Sequence, residues 1–158
     1  MAGDVSWYFA YGSNMDADRL FEKRLRPEGV MPGERVAGRL DGWQLAFNKV
    51  ARTPAGAGAG NIVLQAGKSV HGTLNALPAK GFDVLDRFEG VVGGHYERRI
   101  VRVARPDIGI DVEAITYVAL KVGEGLRPTR EYLGFLLAGR DLLPVDYWEA
   151  LRVTSTLD

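Results

Sequence analysis

The sequence predicts an α+β fold: a small, mainly antiparallel β-barrel-like sheet with a few packed helices. Three observations predict it. Roughly seven short strand-like runs follow one another, most of them joined by turn signals of the hairpin kind. Helical periodicity enters singly between them rather than in regular alternation, which argues against a parallel βαβ layout. Finally, the chain has 158 residues, enough for one domain that buries roughly 68–70% of its unfolded surface. Neither repeat nor linker divides it, so residues 1–158 read as a single domain.

The elements follow in order. Ser6–Ala10 is short and aromatic, the pattern of a buried strand. It runs into the turn formers Tyr11-Gly12-Ser13-Asn14. A helix is expected over Asp16–Leu25, capped by Asn14 or Asp16, with Leu20 and Arg24 one turn apart. Glu34–Leu40 and Trp43–Phe47 are strands joined by Asp41-Gly42, a hairpin signal. Ile62–Ala66 and Ser69–Leu77 are strands separated at Gly67-Lys68. Lys80–Glu89 is a short helix with Phe82, Leu85 and Phe88 at three-residue spacing. Asp83 and Arg87 form a favourable pair one turn apart there, and Gly90 stands ready as its C-terminal cap. Tyr96–Ala104 alternates charged and apolar residues, and Glu113–Leu120 is β-branched; both read as strands. Thr129–Ala138 is the clearest helix, bounded by Pro128 and Gly139. A last short helix starts near Pro144.

Composition excludes more than it indicates. Lys+Arg and Asp+Glu number 20 each, so no bulk charge recruits nucleic acid or an anionic membrane. No cysteine is present, which removes disulfides, zinc–thiolate sites, iron–sulfur clusters and a thiol nucleophile. His71 and His95 lack ligand spacing, and core or surface roles are expected for both. With no secretory n-region and no apolar run near the roughly 18 residues of a membrane span, the expectation is a cytoplasmic protein. Glycine is the unusual component, at 20 residues. Three of these fall in Ala55–Gly60 (AGAGAG), which has no side chains for a core and reads as a mobile surface loop. Gly67-Lys68-Ser69 is not a phosphate loop, because Ile62 stands where that motif needs its first glycine.

Two segments carry chemistry. Tyr8-Phe9-Ala10-Tyr11-Gly12-Ser13-Asn14 is a strand ending in a tight turn ahead of a helix, which presents backbone N–H groups suited to an anion. Gly12 allows close backbone approach, and Ser13 and Asn14 add short polar groups. Asp86-Arg87-Phe88-Glu89-Gly90-Val91 places Glu89 at a helix C-terminus among apolar neighbours. Dipole and apolar surroundings both disfavour its negative charge, and a raised carboxyl pKa suits a proton shuttle.

The order and spacing of these blocks extend over nearly the whole chain. YFAYGSNM, LDRFEGV with Tyr96 seven residues beyond the glutamate, and TREYL ahead of a C-terminal Leu-Pro together resemble the γ-glutamylcyclotransferase family. The resemblance implies a small α+β barrel-like fold and release of 5-oxoproline from γ-glutamyl compounds. It implies Glu89 as catalytic acid/base, Tyr8 through Ser13 as a substrate-binding loop, and Tyr132 as a substrate-contacting tyrosine. Tyr96 and Tyr117 match recurrent pocket aromatics. Asn14 after Tyr-Gly-Ser favours this branch over the glutathione-directed one, where leucine usually follows. The AGAGAG run matches no motif of the family and leaves the leaving-group side open.

The implied chemistry suits the composition. The substrate's own α-amine attacks its side-chain carbonyl and closes a lactam, so no enzymic nucleophile, metal or cofactor is required. The expected partner is a small γ-glutamyl molecule, not nucleic acid or membrane, and the chain reads as a monomer or homodimer. The Tyr11–Asn14 loop could hold either the substrate α-carboxylate or an oxyanion. Two other readings remain open here: a γ-glutamyl-amine or γ-glutamyl-protected metabolite as substrate, and a non-catalytic small-ligand binding protein of the same fold.

Overall fold

The computed structural model describes residues 4–158. Five strands close a barrel: β1 (Val5–Ala10), β2 (Arg35–Val50), β3 (Gly58–Pro78), β4 (Tyr96–Arg105) and β5 (Ile110–Ala119), in the spatial order β1-β3-β2-β4-β5. Every pairing is antiparallel except β1 with β5, which closes the barrel in parallel through Trp7↔Ala114 and Tyr8↔Ile115. Three α-helices flank it: α1 (Ala79–Phe88), α2 (Arg130–Leu137) and α3 (Val145–Arg152). Among the described residues, no helix is long and apolar enough to cross a membrane.

The strands are fewer and longer than the sequence suggests. Asp41-Gly42 and Gly67-Lys68 do not turn the chain. Both lie inside continuous strands, where Asp41 pairs with Ser69, Trp43 pairs with Leu64, and Gln65–Lys68 stand against Gly42 alone. Gly42 and Gly67 have φ of 84° and 81°. A bulge needs the same left-handed glycine that a two-residue hairpin turn does, so local chemistry does not distinguish them.

Strand periodicity divides the core. Along β1, alternate side chains face opposite ways. Phe9, and Tyr11 just beyond the end of β1, join a cluster otherwise built from strand residues: Leu40, Ile62, Val70, Leu74, Val101, Val103 and Ala114. Tyr8 and Ala10 join the second cluster, where the helices pack through Leu20, Leu25, Phe82, Leu85, Leu136 and Leu151. The turn after β1 is therefore rooted in both cores.

The first helical segment departs from α geometry. Ser13–Met15 is a single 3-10 turn, and Asp18–Leu25 is π-wound, with Arg26 N–H bonded to the Phe21 carbonyl. Its first turn is closed by Asp16, whose Oδ1 accepts from the Arg19 N–H at 3.1 Å. Asn14 is used elsewhere. At the end of α1, Gly90 N–H reaches the Arg87 carbonyl and Val91 N–H the Asp86 carbonyl. With Gly90 at φ 66°, this is the Schellman closure expected of that glycine. The expected Asp83–Arg87 pair is replaced by longer-range partners: Asp83 faces Arg98 at 3.5 Å, and Arg87 pairs with Glu28.

Candidate active site

Between the open end of the β1 turn, the C-terminus of α1 and the face of α2 lies a cavity of about 170 Å³. Glu89 borders it, together with Tyr8, Tyr11, Gly12, Ser13, Asn14, Tyr96, Tyr117 and Tyr132. These residues span the chain from one end to the other, and the barrel brings them together. Phe9 and Ala10 do not line the cavity. Both side chains are fully buried, Phe9 in one core and Ala10 in the other, so of the expected run only Tyr8, Tyr11, Gly12, Ser13 and Asn14 border the cavity. Phe9 contributes through its carbonyl, which accepts from Thr116 Oγ1 at 2.8 Å.

Glu89 is half-buried and caps α1 with its backbone. Burial raises its carboxyl above the usual value, against the pull of Arg24, Arg19 and Lys49. No described side chain is within ion-pair distance of it, so the carboxyl is available to a ligand. Lys49 itself is directed to the Val50 carbonyl and lies 3.1 Å from His95 Nδ1.

The tyrosine hydroxyls fall into two sets. Tyr11 donates to the Tyr117 carbonyl, Tyr96 to the Gly60 carbonyl at 2.7 Å, and Tyr117 to Asp86 Oδ1 at 2.7 Å. Their protons are committed. Tyr8 instead accepts from Asn14 Nδ2 at 3.0 Å, and Tyr132 accepts from the Gly60 N–H at 2.8 Å. Those two hydroxyls keep a proton for the cavity. Burial, with Glu89 next for Tyr8, raises the Tyr8 pKa, and burial pushes Tyr132 up to about 12. Both remain neutral donors across the physiological range.

Asn14 is a linchpin rather than a helix cap. It is 3% exposed, and its Oδ1 accepts from Arg24 Nη1 at 3.1 Å. That contact fixes the amide orientation and points Nδ2 at Tyr8. Tyr117 is held in the same way from behind. Burial alone would raise Asp86, but the hydrogen bonds from Arg98 and Tyr117 outweigh it and hold the carboxyl below its usual value.

Arg19, Arg24, Ala59, Gly60, Phe88 and Thr116 also line the cavity and are missed by the sequence reading. Arg19 and Arg24 are five residues apart, which an α-helix places on different faces. A π-helix closes its turn between i and i+5, so here both reach the same cavity. Arg19 stacks on Phe135 at 4.2 Å and Arg24 on Phe88 at 4.7 Å.

Gly60 corrects the mobile-loop reading of Ala55–Gly60. The run turns into β3 at Gly58, and Ala57 is buried. Opposite Gly60 the ladder slips, because Ala46 pairs with Asn61 while Lys49 pairs with Ala59. This bulge frees the N–H and carbonyl of Gly60 from β2, and Tyr132 and Tyr96 take them. A Cβ there would lie 3.1 Å from Tyr132 Oη, close enough that the hydroxyl would have to shift by a few tenths of an ångström. Bulges recur beside active sites for this reason.

Comparison with known proteins agrees with this architecture. The AIG2-like family model matches residues 69–151, which include Glu89, Tyr96, Tyr117 and Tyr132 but not the β1 turn. No curated protein sequence matches the chain. Among solved structures, a γ-glutamyl cyclotransferase superposes with a TM-score of 0.85 at 24% identity, over 98% of this chain and 90% of that one. An uncharacterized protein from Homo sapiens gives 0.84 at 26% identity, with the same coverage. YkqA from Bacillus subtilis gives 0.75 at 21% identity, over 96% of this chain and 56% of its own. The chain belongs to the AIG2-like family and has the γ-glutamyl cyclotransferase fold.

Proposed function

We propose that this protein is a cyclotransferase that releases 5-oxoproline from γ-glutamyl compounds, with Glu89 as general acid/base. One observation carries the reading. The Glu89 carboxyl, raised by burial and free of a protein partner, opens onto a small cavity whose other polar groups are mostly donors. Such a site suits a reaction that moves protons on a substrate carrying its own nucleophile.

The α-amine of the γ-glutamyl group attacks the side-chain carbonyl. A new C–N bond closes the five-membered lactam, and the original amide C–N bond breaks. Glu89 takes the proton that the attacking amine loses and returns it to the leaving amine, so no water is consumed. A positioned acid/base of this kind contributes roughly 10²–10⁴-fold. Holding the folded rotamer contributes more, since oriented intramolecular reactions reach effective molarities of about 10⁵–10⁸ M. Tyr8 and Tyr132, with protons uncommitted elsewhere, suit the carbonyl oxygen as it gains charge.

The test is 5-oxoproline release from a panel of γ-glutamyl amino acids, amines and glutathione, with Glu89→Gln run in parallel. The expected result is turnover of at least one class by the wild type and a loss of roughly 10²–10⁴-fold in the variant. Near-wild-type release by a folded Glu89→Gln protein would remove Glu89 from the reaction. An inert wild type that still binds γ-glutamyl ligands would favour a binding protein of the same fold.

A further inference from the structure

We propose that Arg19 recognises the α-carboxylate of the γ-glutamyl group and so sets the requirement for that carboxylate. The inference rests on the reading of the cavity as a γ-glutamyl site and assigns the part of the substrate that the acid/base argument leaves unplaced.

The charges of the cavity do not balance. Two guanidinium groups, Arg19 and Arg24, line it against one carboxyl, Glu89. Arg24 has its work within the protein: it bonds Asn14 Oδ1 and stacks on Phe88. Arg19 has no ion pair with a described carboxylate, and its Nε is buried without an acceptor. A buried charged donor left without a partner is costly, and such groups in folded proteins call for a ligand or another explanation. Phe135 stacks on the guanidinium at 4.2 Å, which fixes its plane and leaves the edge of the fork for an acceptor. Planar two-point binding of that kind is what a guanidinium offers a carboxylate and an ammonium does not.

The chemistry of the substrate fits the vacancy in the charge balance. In a γ-glutamyl group the α-amine and the α-carboxylate share one carbon. Anchoring the carboxylate at Arg19 holds that carbon and limits the amine to a small arc, within which it faces both its own side-chain carbonyl and Glu89. The π winding makes this possible, because it turns Arg19 onto the same face as Arg24.

The experiment compares γ-L-glutamyl-L-alanine with N-(4-aminobutanoyl)-L-alanine, which lacks only the α-carboxylate and would cyclise to 2-pyrrolidinone. Wild type should prefer the first by about 10⁴–10⁵-fold in kcat/KM, as expected of a site built for a polar group that the analogue lacks. Arg19→Met should reduce that preference to about tenfold or less, chiefly by slowing the carboxylated substrate. Arg19→Lys, which keeps the charge and not the fork, should fall between. A general structural defect would slow both substrates and leave the ratio intact, and an intact ratio in either folded variant overturns the assignment.

Calorimetry of 5-oxoproline against 2-pyrrolidinone reads the same contact without turnover. Wild type should bind 5-oxoproline more tightly, and Arg19→Lys should lose most of that difference. Equal binding of the two lactams by wild type overturns the assignment. If wild type turns over neither substrate yet shows the Arg19-dependent difference in lactam binding, the cyclotransferase reading fails and the carboxylate site stands.

Discussion

The backbone N–H of Gly60 donates to the Tyr132 hydroxyl at 2.8 Å across 72 positions of sequence. This contact joins the edge of the barrel to α2 and leaves the hydroxyl proton directed to the cavity. Tyr132→Phe removes the acceptor and strands a buried N–H, which costs about 1–3 kcal/mol. The expected outcome is a lower unfolding midpoint in denaturant and weaker turnover. Gly60→Ala should reproduce the loss of turnover, because its Cβ would crowd the same hydroxyl.

Gly58 separates a strand from a loop. A Cβ at this position would lie 2.0 Å from the Phe47 carbonyl oxygen, a backbone atom that cannot move aside. Gly58→Ala should therefore destabilise severely, whereas a mobile loop would accept it. Gly134, exposed within α2 and free of neighbours within 4 Å, makes the contrast. Gly134→Ala should stabilise by about 0.5–1 kcal/mol through helix propensity. Thermal melts of the two variants check both.

Asp86 makes an acid-side prediction. Its folded pKa lies below the ordinary value, so its stabilising contribution is present above that ordinary value and is lost as pH falls through the folded pKa. Asp86→Asn should cost about 1–2 kcal/mol at neutral pH through the weakened bonds to Arg98 and Tyr117. The difference from wild type should shrink as the pH falls toward 2. Urea unfolding at several pH values measures it.

Glu89 has the opposite sign. Its folded pKa is raised, so the protein is most stable below the ordinary glutamate value and loses stability as pH rises through the folded pKa. Glu89→Gln should therefore match or exceed wild-type stability at pH 7 while losing turnover, and the stability gain should vanish in acid. A variant less stable than wild type at pH 7 would contradict the raised pKa.

Legibility followed the range of the interactions. The β1 strand, the Gly90 closure of α1 and the helix after Thr129 were all predicted, since each depends on neighbours a few residues away. The irregularity at Gly42 and Gly67 carries turn chemistry in both strands, because a left-handed glycine satisfies either a bulge or a hairpin, and only the partner strand decides between them. Asn14 carries the local signature of a helix cap, and nothing local reveals that Arg24 and Tyr8 claim both ends of its amide.

The fold class, the Tyr8–Asn14 segment as a candidate anion-binding turn, and Glu89 as a carboxyl disfavoured in its charged form are legible in the sequence alone. Periodicity, turn chemistry and helix-end electrostatics are local, and a linear chain displays them. Tertiary structure alone decided that Phe9 and Ala10 face the cores, that Ala55–Gly60 leads into a strand whose last glycine builds the cavity wall, and that Arg19 and Arg24 share one face. Those outcomes depend on barrel closure, on a bulge and on a π turn. In each, a backbone hydrogen bond to a distant or unexpected partner determines which way a side chain points.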